Sequence, residues 1–143
     1  MALHIGVCGL GIMGGAFASN LARNGFHVTG YDPSKVRSNI FKKAGGIVAN
    51  NNKEVAENSD IIITSVANAK ILDEVVQGKN GIIKGAKKGL IILEASTLSF
   101  EEKKRNQIAL KKVRAIMLDT PVSGAGRQAE AGDISIMISG PKY

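Results

Sequence analysis

The chain has 143 residues, 44% of them hydrophobic and 22% charged, which suits one globular domain and excludes both a disordered tail and two full domains. Nineteen Lys and Arg against twelve Asp and Glu leave a formal charge of +7, favouring anionic partners such as a phosphate-bearing cofactor, a carboxylate substrate or nucleic acid. One cysteine, Cys8, and two histidines, His4 and His27, exclude a disulfide scaffold and a cysteine-rich zinc site, and point to a cytoplasmic protein without structural metal.

The first apolar run, Leu3 to Cys8, predicts a buried strand. No basic segment precedes it and Gly6, Gly9 and Gly11 break it, so it does not read as a signal peptide. No apolar run approaches the roughly 20 residues of a membrane span. Gly9-Leu10-Gly11-Ile12-Met13-Gly14 follows where strand should give way to helix, and it matches the dinucleotide loop G-x-G-x-x-G. Gly9 suits the tight turn, Gly11 lets backbone approach a pyrophosphate, and Gly14 permits close helix-to-strand packing, while the amides of the helix start face the anion. That helix is expected from Ile12 to Asn24, with Gly14, Ala18, Leu21, Ala22 and Gly25 on one stripe of small residues and Gly25 as its stop.

A second strand, Phe26 to Tyr31, runs into Asp32, 18 residues after Gly14 and close to the roughly 20 expected of an acid that accepts ribose hydroxyls. Such a carboxylate repels a 2′-phosphate and favours NAD, although Lys35 and Arg37 leave NADP open. Asp32 before Pro33 equally suits a helix cap. The next helix should turn Val36, Ile40 and Phe41 inward and place Lys42 and Lys43 at its carboxyl end. A short strand at Ile47–Val48, a helix opened by Asn51 and Glu54 at capping-box spacing, and a strand from Ile61 to Val66 come next. Gly78 to Gly89, with four glycines and four lysines, reads as a surface loop with one helical turn. Leu90–Leu93, a helix from Ser99 and Glu102 to Val113, and strands at Ala115–Leu118 and Ile134–Ile138 complete the series. Most of these strands are apolar on consecutive positions, as in strands covered on both faces. The expected fold is α/β: a Rossmann-type, doubly wound, mostly parallel sheet with helices on both faces.

The charge lies largely in short runs, Lys42–Lys43, Lys87–Lys88, Lys103–Arg105 and Lys111, Lys112 and Arg114. With four Phe, two Tyr and no Trp, no stacking surface for bases accompanies them. They read as solvated faces, and nucleic acid is not expected.

Three motifs give the chain a resemblance to the β-hydroxyacid dehydrogenases, a family that includes 3-hydroxyisobutyrate dehydrogenase, tartronate semialdehyde reductase and 6-phosphogluconate dehydrogenase. They are GLGIMG at 9–14 with Ala18, Asn20 and Leu21; Glu94-Ala95-Ser96-Thr97, where Glu94 stands in place of the usual Asp; and Asp119-Thr120-Pro121-Val122-Ser123-Gly124, continued by Gly132 and Ile136-Met137. The resemblance implies that Gly9, Leu10, Gly11, Ile12, Met13, Gly14, Asp32, Asn68 and Thr97 meet the cofactor. It implies that Ser123, Gly124 and Ala125 hold a small carboxylate substrate, for which a hydroxyl and backbone amides in a glycine-rich bend are suitable chemistry. Ala125, Gly126 and Gln128 depart from the pattern of small and glycine residues usual there, so the particular substrate is left open, and Ser96 and Thr97 would also serve simply to begin a helix. In the family the catalytic lysine lies in a helical second domain through which relatives associate, and the resemblance therefore places that lysine beyond Tyr143. No Lys-x-x-Asn motif of that kind lies between Ser123 and Tyr143, so no catalytic residue is assigned within the chain. The implied function of residues 1–143 is the NAD(P)-binding domain of a 3-hydroxy acid dehydrogenase, unable to turn over alone. The alternative is a non-catalytic dinucleotide-binding or interaction module whose basic surface meets an acidic partner.

Overall fold

The computed structural model describes residues 2–140. Tyr143, beyond which the catalytic lysine is expected, lies outside the described residues. Strands β1 (His4–Cys8), β2 (His27–Tyr31), β3 (Ile47–Val48), β4 (Ile61–Thr64), β5 (Ile91–Glu94) and β6 (Ile116–Asp119) form one sheet in the order β3-β2-β1-β4-β5-β6, every pair parallel. The order reverses between β1 and β4, the place where doubly wound sheets open a crevice beyond their carboxyl ends. Helices α1 (Ile12–Arg23), α2 (Lys35–Lys43), α3 (Asn52–Glu57), α4 (Ala69–Gln77) and α5 (Phe100–Lys112) connect the strands. A small antiparallel hairpin of β7 (Val122–Ser123) and β8 (Ser135–Ile136) encloses α6 (Gly126–Ala131).

Two apolar layers sandwich the sheet. On one face α3, α4 and α5 press Val55, Ala56, Leu72, Val75, Val76 and Leu110 onto Ile62, Ile92 and Met117. On the other, Ala18, Leu21 and Phe41 of α1 and α2 cover Val7 and Val28. Phe41 is 1% exposed and fills the space over Gly30, where a Cβ would come within 2.8 Å of its ring. The second layer stops short. Ile61, Ile63, Ile91, Leu93, Ile116 and Leu118 on that face of β4 to β6 stay half-buried, while their neighbours Ile62, Ile92 and Met117 are buried.

Several expectations need correction. Val36 and Ile40 point outward, 70% and 59% exposed, because α2 lies over the sheet edge, where β3 has only two residues and Phe41 alone is covered. Ile134–Ile138 does not join the parallel sheet. Its Ser135–Ile136 core pairs antiparallel with β7, since α6 makes too short a connection to carry the chain across a parallel neighbour. The glycine-rich stretch before β5 does carry its one helical turn, a 3-10 turn at Ile82–Lys84, but the turn is not wholly at the surface, because it buries Ile82 completely. Two helices were not expected from the sequence: α4, whose Leu72, Val75 and Val76 form a buried stripe, and α6. The expected Ser99 capping box is complete, with Ser99 N–H donating to Glu102 and Ser99 Oγ accepting from the Glu102 amide.

Candidate functional site

Parallel register lines up the last residues of four strands, Cys8, Thr64, Glu94 and Asp119. The segments that follow them, Gly9–Gly14, Ser65–Asn68, Ala95–Thr97 and Thr120–Ala125, therefore emerge along one edge. Asp32, just beyond β2, joins them. The residues named from the sequence as cofactor or substrate contacts all lie on these segments.

The first segment is the turn into α1. Gly9 has φ of +95° and donates its N–H to Tyr31 O at 3.0 Å; a side chain there would strike the Ser65 carbonyl. A Cβ on Gly14 would strike the Gly9 carbonyl. These two glycines are required by the protein itself. Gly11 is different. Its φ of −71° suits any residue, and a Cβ there would meet nothing nearer than the Arg37 guanidinium at 3.9 Å. The space over Gly11 is open.

That open space faces a helix start with unmet hydrogen-bonding capacity. No side chain caps α1, no acid occupies its first turn, and Ile12, Met13 and Gly14 N–H have no acceptor among the described residues. Their partial positive charge is the ordinary anion site of a helix N-terminus. Leu10 is buried and anchors the turn, whereas Ile12 is 77% exposed.

Asp32 is 7% exposed. Its Oδ2 accepts the Leu10 amide at 2.9 Å and its Oδ1 accepts the Ser34 amide at 2.8 Å, so it fastens the Gly9–Gly14 turn to the end of β2. Capping of α2 falls to Ser34, whose Oγ accepts the Arg37 amide at 3.4 Å. The capping alternative for Asp32 is thus answered by its neighbour. Each carboxylate oxygen has a lone pair left for a further donor. Arg37 Nη1 stands 3.5 Å from Oδ2 on a half-exposed side chain.

Farther along, Asn68 caps α4, its Oδ1 accepting the Ile71 amide at 2.9 Å. Thr97 is exposed and two residues ahead of the Ser99 cap, so neither it nor Ser96 begins α5. Ser96 is buried, and its Oγ accepts the Val66 amide at 2.9 Å. Ser123 lies exposed opposite Ser135 in the hairpin, and Gly124 has φ of +136°. The Ala125 amide is already taken by Gln128 Oε1 at 2.8 Å. Asn20 sends its amide to the carbonyls of Ala129 and Glu130 at 2.8 and 3.2 Å, pinning α6 beside α1.

One buried charge was not expected from the sequence. Lys103, read there as part of a solvated run, is 6% exposed and lies 2.9 Å from Glu94 Oε2 and 2.6 Å from Asp119 Oδ1. The available signal was its place one turn before Asn106 and two before Leu110, the other buried residues of α5. Cys8 is fully buried, and burial pushes its thiol far above the ordinary range, which makes it a packing group and not a nucleophile. Among the described residues no cluster of His, Cys, Asp and Glu is able to hold a metal, and no helix is long and apolar enough to cross a membrane.

Known proteins share this chain's sequence pattern and fold. A family model described as the NAD binding domain of 6-phosphogluconate dehydrogenase matches residues 4–143. Mitochondrial 3-hydroxyisobutyrate dehydrogenase of Mus musculus is 37% identical over 136 residues, covering 95% of this chain and 41% of that protein. The solved 3-hydroxyisobutyrate dehydrogenase of Salmonella typhimurium is 31% identical with a TM-score of 0.82, over 95% of this chain and 47% of that one. That of Mycobacterium tuberculosis, crystallised with L-serine, has the same fold at a TM-score of 0.90 and 24% identity, over 99% and 48%. The chain spans less than half the length of these relatives. The family model's match to residues 4–143 and the likeness along nearly the whole chain place it together with them: the chain belongs to the family of NAD-binding domains of 6-phosphogluconate dehydrogenase.

Proposed function

We propose that this chain is the coenzyme-binding part of an NAD(P)-dependent dehydrogenase that moves a hydride between nicotinamide and a small 3-hydroxy acid. The observation that carries the proposal is Gly11, a glycine that no contact within the protein requires, set before three amides without acceptors. In this reading the Ile12, Met13 and Gly14 amides take the pyrophosphate, and Leu10 and Gly9 hold the turn in place. Asp32 takes the ribose hydroxyls. Asn68 and Thr97 border the nicotinamide end, and Ser123 and Gly124 hold the substrate carboxylate. Ala125 contributes backbone shape only, its amide being engaged by Gln128. A nicotinamide dinucleotide, when bound, supplies the hydride acceptor.

NAD is the proposed coenzyme because the Asp32 carboxylate would face a 2′-phosphate, and Arg37 beside it is what would let NADP enter. Lys103 is held by Glu94 and Asp119 and is not placed to shuttle a proton. The proton-shuttling lysine is instead proposed to come from sequence beyond Tyr143. The chain alone is therefore proposed to orient coenzyme and substrate with little or no turnover; association of the whole protein through a helical second domain is part of the same proposal. The cytoplasm is proposed as the compartment on the lone buried Cys8, and a tagged protein found in an organelle would contradict it.

Separate fluorescence titrations with NADH and NADPH test the assignment. NADH is expected to bind more tightly than NADPH. Failure to bind either would overturn the coenzyme reading, and turnover of 3-hydroxyisobutyrate at an ordinary dehydrogenase rate would overturn the proposed inactivity. The +7 charge supports a second reading, a non-catalytic module for an acidic partner. Steeply salt-dependent retention of nucleic acid without NADH binding would favour it.

A further inference from the structure

We infer that Glu94 and Lys103 are positioning residues for the nicotinamide side of the cleft, with Glu94 bracing the two loops that border it and Lys103 joining them to the substrate segment. This inference rests on the coenzyme reading above. Glu94 has no solvent exposure, and its Oε1 accepts the Ser96 amide at 3.0 Å and the Thr64 hydroxyl at 3.4 Å. The first contact fixes the turn that sends Thr97 to the surface. Ser96 in turn accepts the Val66 amide at 2.9 Å, so the loop leading to Asn68 is tied to the same carboxylate through one buried serine.

The other oxygen, Oε2, faces Lys103 at 2.9 Å, and the ammonium also reaches Asp119 at 2.6 Å. Asp119 opens the segment that runs through Thr120 to Ser123 and Gly124, and its backbone exchanges two hydrogen bonds with Ser139 beyond the hairpin, at 2.9 and 2.8 Å. Burial opposes the charge on Lys103, but the hydrogen bond to Asp119 and the negative charges of Asp119 and Glu94 outweigh it and raise the ammonium above its ordinary value. One lysine thereby joins the Thr97 loop, the Asn68 loop and the Ser123 segment. The adenosine side stands apart: Asp32, Leu10 and Ser34 hold one another without contact to this network. A buried ion cluster is weak evidence of stability by itself. Its placement beneath three loops, with no hydrogen bond to Gly9–Gly14, indicates positioning.

The separation into two sides gives the test. NADH and ADP-ribose, which lacks the nicotinamide, are titrated into the 143-residue chain, its Lys103→Met variant and the double variant Glu94→Gln/Lys103→Met. The double variant removes both buried charges together and leaves only the half-exposed Asp119 carboxylate, so it keeps the fold if the single variant does not. In the folded variant NADH should bind about tenfold or more weakly while ADP-ribose binds as before, since small misplacements at a site cost factors of this order. Amide resonances of Val66, Ser96 and Thr97 should move, and those of Leu10, Ser34 and Arg37 on the adenosine side should not. Equal losses for both ligands, no loss for either, or unmoved Val66 and Ser96 amides would overturn the inference. So would a wild-type chain that binds ADP-ribose as tightly as NADH, and in that case the adenosine-side reading stands. A wild-type chain that binds neither overturns the coenzyme reading and this inference with it.

Discussion

Replacing Gly11 with alanine separates what the fold needs from what a ligand needs. Gly11 is the residue that starts α1, so the change exchanges a tolerated cap for a poorer one, at a cost of about 0.5–1 kcal/mol. Alanine also narrows the unfolded ensemble, a gain of about 0.4–1 kcal/mol at a φ of −71°, which it adopts without strain. The two nearly cancel, and the 3.9 Å clearance to Arg37 leaves no clash to add. The melting temperature should therefore stay within about 2 °C of wild type for a domain of this size. Binding should not be spared. The new methyl group occupies the space before the Ile12 to Gly14 amides, and displacing a phosphate from even one charge-assisted hydrogen bond costs about 1.5–3 kcal/mol, or roughly 10- to 100-fold in affinity. Differential scanning fluorimetry and an NADH titration on one preparation give both numbers. G11A that melts normally and binds NADH normally would show that this turn is no phosphate cradle. G11A that unfolds as readily as Gly14→Ala would show that the protein itself requires the glycine.

Asp32→Asn should weaken NADH more than NADPH and narrow the preference between them, whereas Arg37→Ala should weaken NADPH alone; parallel titrations of the two coenzymes would check both. Hydrogen bonds from Arg105 foremost, and from Asn106, hold the Asp73 carboxyl below its ordinary range. A group depressed in the folded state contributes fully above its unfolded value, so this contribution should fade as pH falls below about 4, where unfolded aspartate titrates. The pair is exposed, so the effect should be small and weaker in high salt, and Asp73→Asn should flatten the acid limb of a stability-versus-pH curve. Cys8 should react with a thiol reagent only at the rate of global opening. Fast labelling of the native protein would contradict its burial.

How much of this was legible in the sequence depended on whether local chemistry and tertiary environment agreed. The strand Ile61–Thr64 announces itself by its run of three isoleucines, although only Ile62 and Thr64 are buried, and Gly9 and Gly14 announce themselves because the turn into α1 leaves no room for a Cβ at either. Asp32 was legible by spacing, although its bond to the Leu10 amide, which makes it part of the turn, was not. Val36 and Ile40 misled because an apolar pattern shows which helix face is oily without showing whether the sheet extends beneath it. Ile134 to Ile138 misled in the same way, since an apolar run does not name its partner strand. Lys103 was hidden in a basic run. A charge is buried only when its counter-charges arrive from β5 and β6, and those lie distant in sequence.

We propose that a coenzyme pyrophosphate rests on the amides opening α1. Recording amide spectra of the isotope-labelled chain while NADH is added tests it most directly. Ile12, Met13 and Gly14 should show the largest displacements, with the Asp32 region following, and inorganic pyrophosphate should move the same three amides. Saturable NADH binding that leaves those three resonances in place would contradict the claim.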